Sequence, residues 1–298
     1  MSTGALCWWG EGAMILRGWR GLVWSGIVLG GGCLQVGAQA ATVPSMQVAR
    51  SGDEKAEAER GRKLLNGMVA ALGGDAWLHR QTWIFYGRTA TFYKGQPDAA
   101  APQFEEYGRV SPFAERLVIV SHFGPIIATN HSDVVDVWTS ERGYEITYKG
   151  ASALPAKEVA DFERLREHSL EVVVKEWLTQ PDVVVMDEGS KMVERHLVDE
   201  VSVLSASNDA VTVELDESTH LPLSISFRWR DPVYKDWNTD VVEFSDYHEI
   251  QGILTPYSVI TMHNGDMTGE RFLTKATYNV PLASELFDPN RPLESKRK

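Results

Sequence analysis

The sequence predicts an α+β fold: a curled antiparallel β-sheet, open or closed into a barrel, with two helical segments. Three features predict it: an amphipathic stretch at residues 51–72, a long region of period-two alternation from Trp83 onward, and one helical interruption at residues 155–178. Strands that follow one another through short turns pair antiparallel, and a sheet of many strands curls under its own twist. Its concavity must then be filled by side chains, by the helices or by an apolar ligand.

Ser51-Gly52-Asp53-Glu54 reads as a capping box at the head of the first helix. Leu65, Met68, Val69 and Leu72 give that helix one apolar stripe, and Gly73-Gly74 supplies the positive-φ stop. Trp83 and Phe85, then Ala90 and Phe92, alternate with more polar neighbours up to the turn Lys94-Gly95-Gln96-Pro97. Segments 104–109, 115–121, 133–139 and 144–149 are strand-length and β-rich. Pro155 sits in the first turn of a second helix, whose face is Phe162, Leu165, Leu170, Val173, Val174, Trp177 and Leu178. The triplet Val172-Val173-Val174 is a poor helix former, so either packing overrides propensity there or the segment divides in two. Alternation then returns with Val211, Val213 and Leu215, with Ile225, Phe227 and Trp229, with Tyr257 and Val259, and with Phe272 and Tyr278. Asn264-Gly265 is the strongest hairpin signal in the chain.

Residues 1–40 read as a leader and secretory signal peptide, with the start at Met14. Arg17 and Arg20 precede an apolar run at 22–36, and Ala38-Gln39-Ala40 forms the cleavage site. That run is short for a membrane span. Residues 41–298 form a single domain in this reading, placed in the periplasm or secreted. Lipid anchoring at Cys33 is the weaker option, because Gly30 stands where a branched apolar residue is usual. Cys7 and Cys33 both precede the cleavage site, so the mature chain has no disulfide. It carries 27 basic and 40 acidic side chains, a net charge of −13, which repels nucleic acid and anionic headgroups.

The block 64–83, together with Thr219-His220-Leu221-Pro222-Leu223, Phe244-Ser245-Asp246-Tyr247, Gly252-Ile253-Leu254-Thr255-Pro256-Tyr257, Tyr278-Asn279-Val280-Pro281-Leu282 and Leu286-Phe287-Asp288-Pro289, resembles the periplasmic outer-membrane lipoprotein-sorting carriers, the LolA/LolB-like group. The resemblance implies a curled antiparallel β-sheet (half-barrel) with helices covering the concave face, a shape that in the carriers holds the acyl chains of a lipoprotein. Burying each methylene is worth ~0.8 kcal/mol. One departure is visible: the carriers tend to place an arginine just before a strand-entry proline, and the stretch here reads Arg109-Val110-Ser111-Pro112.

No motif for chemistry is complete. His248-Glu249 lacks the second zinc ligand at helical spacing, since Gly252 stands there. His122, His131 and Asp133 are a weak metal cluster, and Asp246 and His248 with a distant serine are a weak hydrolytic triad. The expectation is therefore no catalytic residue, no metal and no cofactor. Trp83, Phe85, Phe92, Val118 and Val120 are expected in an apolar cavity, as are Trp138, Phe227, Trp229, Tyr257 and Phe272. Phe162, Leu165, Val173 and Trp177 are expected in a lid helix. An ordinary filled core demands the same residues. Trp237 is read as an exposed loop residue available to a partner or membrane. The expected ligand is a hydrophobic small molecule, a lipid or a lipoprotein, with transient contact to envelope membrane proteins. The alternatives are an envelope sensor or assembly module binding a protein partner and, as a minority reading, a hydrolase.

Overall fold

The computed structural model describes residues 45–93, 95–97, 101–120, 133–140, 142–193 and 195–291. The signal segment, Cys33, His122 and His131 lie outside the described residues. Among the described residues, no helix is long and apolar enough to cross a membrane.

The first helix, α1 (Ser45–Leu72), begins six residues before the capping box, so Ser51 lies within it rather than at its head. Gly73 and Gly74, with φ of 123° and 55°, end it. A side chain at Gly73 would collide with the Gly252 carbonyl oxygen, 2.2 Å from a Cβ, so only glycine allows this close approach. A single turn, α2 (Asp75–Leu78), follows.

The strands are β1 (Thr82–Tyr93), β2 (Gln96–Pro97), β3 (Gln103–Arg109), β4 (Ala114–Val120), β5 (Val134–Thr139), β6 (Gly143–Thr147) and β7 (Gly150–Ala153). After the helices come β8 (Val184–Val193), β9 (His196–Leu204), β10 (Ala210–Asp216), β11 (Pro222–Arg230), β12 (Trp237–Ile250), β13 (Ile253–His263) and β14 (Asp266–Tyr278). They form one open antiparallel sheet in the order β7-β6-β5-β4-β3-β1-β14-β13-β12-β11-β10-β9-β8, with β2 paired to β1. Sequence periodicity does not place β7, β8, β9 or β12. Most of β8 is exposed and alternates poorly, as befits an edge strand. Trp237 opens β12, paired with Arg230, rather than sitting in a loop, although it is exposed.

This order makes the second helical segment span the molecule. The chain leaves one sheet edge at β7 and re-enters at the other, β8, through α3 (Ala156–Glu167), α4 (Leu170–Lys175) and a 3₁₀ turn at Trp177–Thr179. The predicted helix divides at Ser169, whose hydroxyl accepts from the Val172 amide at 3.4 Å and caps a new helix holding the valine triplet. Contacts trace the crossing: Phe162 stacks on Trp138 of β5, and His168 stacks on Phe227 of β11.

Both faces of the β4–β5 region are covered. Ala114, Val135, Val137 and Ile146 pack on the outer face under Leu282, Leu286 and Phe287 of the C-terminal segment. Inside, α1 presses Leu65, Met68 and Leu72 onto Val185, Val201, Val203, Val211, Val213 and Leu215, and all nine are at most 3% exposed.

Candidate ligand cavity

Residues opposite one another in an antiparallel pair share a face, so the register identifies what looks inward. One row across the sheet runs Tyr278, Trp83, Gly108, Glu115, Trp138, Gly143. The next runs Ala276, Phe85, Glu106, Leu117, Asp136, Glu145. Four carboxylates therefore face the concavity on the β3–β6 side. The two glycines in the first row are there for the indoles: a Cβ on Gly108 would lie 1.9 Å from the Trp83 ring, and one on Gly143 would lie 2.5 Å from Trp138.

Between these strands, the β11–β13 wall and the crossing helices lies a cavity of about 350 Å³. That is the scale of small-ligand sites, roughly 300–1,000 Å³. The strands contribute Leu117, Trp138, Ile225, Phe227, Val242, Phe244, Tyr247, Val259 and Tyr278, and the helices contribute Phe162, Leu165, His168 and Leu170. Phe162 lies parallel to Trp138 at 4.0 Å, an aromatic stack between α3 and β5. Tyr247 donates its hydroxyl to the Pro222 carbonyl at 2.6 Å, and burial pushes it well above the ordinary phenol range.

The charged groups divide into two kinds. Arg80 reaches Glu171 at 2.6 Å, and Lys175 holds the other oxygen of Glu171 at 2.6 Å. Burial works to raise the Glu171 pKa, but the two cations outweigh it and keep the carboxyl below its usual range. Glu106 accepts from Trp83 Nε1 at 2.6 Å and pairs with Arg271. Glu115 and Asp136 make no hydrogen bond or ion pair with any described residue. Burial, with Glu106 nearby, pushes Glu115 up to about 8, and burial, with Glu145 and Glu158 nearby, pushes Asp136 up to about 7. Glu145 is raised by burial and by Glu158.

No family model matches the sequence, and no curated protein does. Solved structures of similar outline exist. One is a DUF1329 family protein from Desulfovibrio piger, 14% identical with a TM-score of 0.49, over 78% of this chain and 97% of that one. Another is an outer membrane lipoprotein-sorting protein domain, described as putative, from Vibrio parahaemolyticus, 10% identical with a TM-score of 0.48, over 78% and 98%. A third is a LolA superfamily protein from Nitrosomonas europaea, 10% identical with a TM-score of 0.46, over 76% and 97%.

Of the residues the sequence assigns to the cavity and lid, Trp138, Phe227, Phe162 and Leu165 line it. Trp83 and Phe85 face inward but pack into the core, Trp83 on Glu106 and Phe85 edge-on to Tyr278 at 5.7 Å. Trp229 donates to Asp240 at 2.8 Å beneath the Arg164 guanidinium, 3.6 Å from its ring. Val173 and Trp177 are buried anchors of α4 and its following turn. Phe92 is half-buried, and with Val118 and Val120 it falls on the opposite parity, directed to the outer face; Val118 joins the outer cluster. An irregularity in the β1–β14 ladder near Gly87 shifts β14 parity, so Tyr278 faces in while Phe272 points out, 44% exposed. Asp246, with φ of 55°, interrupts the ladder opposite Tyr257, which lies against His248, leaving Pro256 and Val259 to line the wall.

Arg109 donates to the Pro112 carbonyl at 2.9 Å and lies over Phe287, far from the role suggested by its sequence position; Arg80 and Arg271 are the cavity's arginines. His248 approaches Asp246 at 3.0 Å, but both are exposed and no described hydroxyl hydrogen-bonds the imidazole. Among the described residues, no group of three or more His, Cys, Asp and Glu side chains is placed to hold a metal ion.

Proposed function

We propose that this protein is a non-enzymatic envelope carrier that holds a lipid, a lipoprotein acyl chain or a similar hydrophobic molecule between its curled sheet and the α3–α4 crossing. The observation that carries this reading is the cavity of about 350 Å³, walled mostly by aromatic and aliphatic side chains in a molecule otherwise packed tightly by α1. Water gains little hydrogen bonding from such walls, whereas an alkyl chain gains ~0.8 kcal/mol per methylene buried there. Entry would require α3 to lift, which breaks the Phe162–Trp138 stack, withdraws Leu165 from the core and parts Arg164 from the Trp229 ring. The export signal read in residues 1–40 agrees with an envelope location.

The test is displacement of an environment-sensitive hydrophobic dye from the protein and from Phe227→Asp. A charge at the cavity floor should abolish dye binding while the variant stays folded by circular dichroism. Undiminished binding to the folded variant would refute the cavity assignment. A second reading, a module that binds a protein partner, is favoured by the exposed Val233, Tyr234 and Trp237 on and beside the β11–β12 connection. An unchanged partner profile after Trp237→Ser would remove its support.

A further inference from the structure

We infer that the cavity's ligand is an amphiphile with a cationic head, recognised by Glu115 and Asp136; this rests on the carrier reading and specifies the ligand class. The two carboxylates come from adjacent strands and sit diagonally on the same face, since Glu115 opposes Trp138 and Asp136 opposes Leu117. Such diagonal neighbours are about 7–8 Å apart at the backbone, close enough for one ammonium group to touch both. Both line the cavity, and neither has a hydrogen-bond or ion-pair partner among the described residues.

The surrounding charges sharpen the argument. Among the cavity-lining residues, Arg80 is engaged by Glu171 and Arg271 by Glu106. Glu145 lies beside Asp136 on β6, and Glu158 faces it from α3. Arg166 on α3 and Arg271 on β14 act on Glu115 from a distance, and Arg166 itself lies over the Phe113 ring at 4.4 Å. The wall around Glu115 and Asp136 is thus acidic, and it lies beside apolar surface from Leu117, Trp138 and Phe162.

Unpartnered carboxylates inside a folded protein are costly, and an arriving cation removes that cost by replacing a proton or by pairing with the anion. An anionic head would meet repulsion from the same groups. An uncharged head would leave them as they are. Binding of a permanent or protonated amine should therefore release protons from the protein at neutral pH, because both carboxyls hold protons more tightly than they do in water.

The experiment titrates the protein, purified from a periplasm without detergent and stripped of extractable lipid, with dodecylammonium, dodecanol and dodecanoate. Calorimetry in two buffers of different ionisation enthalpy counts protons. The expected result is ammonium binding at least about tenfold tighter than dodecanol, with proton release, and dodecanoate weakest. Glu115→Gln with Asp136→Asn should erase the preference for ammonium over dodecanol and the proton release, with circular dichroism confirming that the variant is folded. Equal binding of dodecanoate, or an ammonium preference that survives in the double variant, overturns the cationic-head inference but leaves the carrier reading standing. Failure of all three probes overturns both.

Discussion

The two halves of the concave face share one sheet and one alternation, yet they are filled in opposite ways. Under α1 the inward positions of β9 and β10 are Val201, Val203, Val211 and Val213, all at most 1% exposed and in one buried cluster with Leu65, Met68 and Leu72 of the helix. Across β3 to β6 the inward positions include Glu106, Gly108, Glu115, Asp136, Trp138 and Glu145 beside a smaller buried cluster of Phe104, Leu117 and Ile119, with the shorter α3 on that side. A carboxylate tolerates an inward position only where packing is incomplete or a partner is available. Asp199 and Asp240 stand at core parity with hydrogen-bond partners, whereas Glu115 and Asp136 line the cavity without one among the described residues and mark the half that was left open.

The largest effect should come from the filled half. Met68→Ala, at a position with no exposure, is expected to cost about 2–5 kcal/mol, whereas Leu165→Ala, partly buried at the cavity wall, should cost about half of that or less. Chemical denaturation of both variants measures the contrast, and equal losses would mean the cavity side is as tightly packed as the α1 side. Gly108→Ala comes next. The added methyl would displace the Trp83 indole and with it the bond to Glu106, for an expected loss on the order of 1–3 kcal/mol and a shifted tryptophan emission spectrum.

A third prediction concerns pH. Because Glu115 is raised from 4.5 to about 8 in the folded protein, the fold binds its proton more tightly than the unfolded chain does. The associated stability is complete below pH 4.5 and is lost as the pH rises through 8. Glu115→Gln should therefore be more stable than the parent at pH 8.5, on the order of 1–3 kcal/mol, with the difference shrinking toward acid. Thermal melts at a series of pH values would show it, and a difference constant with pH would contradict the buried-acid assignment. The smallest effect belongs to the Phe162–Trp138 stack: Phe162→Ala should cost about 1 kcal/mol of stability or less while speeding dye release in a stopped-flow measurement.

Much of this architecture is written in the sequence. Alternation around Val211, Ile225 and Tyr278, the Gly73-Gly74 stop and the Asn264-Gly265 turn place most strands and both helical segments, and a curled antiparallel sheet follows from them. Which face each strand turns inward was less legible. Strand β4 is apolar on both sides because the C-terminal segment covers its outside, so Val118 looked as inward as Leu117. The irregularities near Gly87 and Asp246 reverse parity within a strand, which misplaced Phe272 and Tyr257. The acidic pair carried a usable signal that apolar scanning passes over: Asp136 stands alone within Val134-Val135-Asp136-Val137-Trp138. Arg80 and Arg271 enter the site only through tertiary proximity.

The most direct test of an open, ligand-holding half is native mass spectrometry of the protein purified from a periplasm without detergent, followed by analysis of its organic extract. The account predicts one stoichiometric amphiphile that is lost in Phe227→Asp. A protein that is empty as isolated and takes up no alkyl probe would contradict it, and the acidic wall would then have to be explained without a ligand.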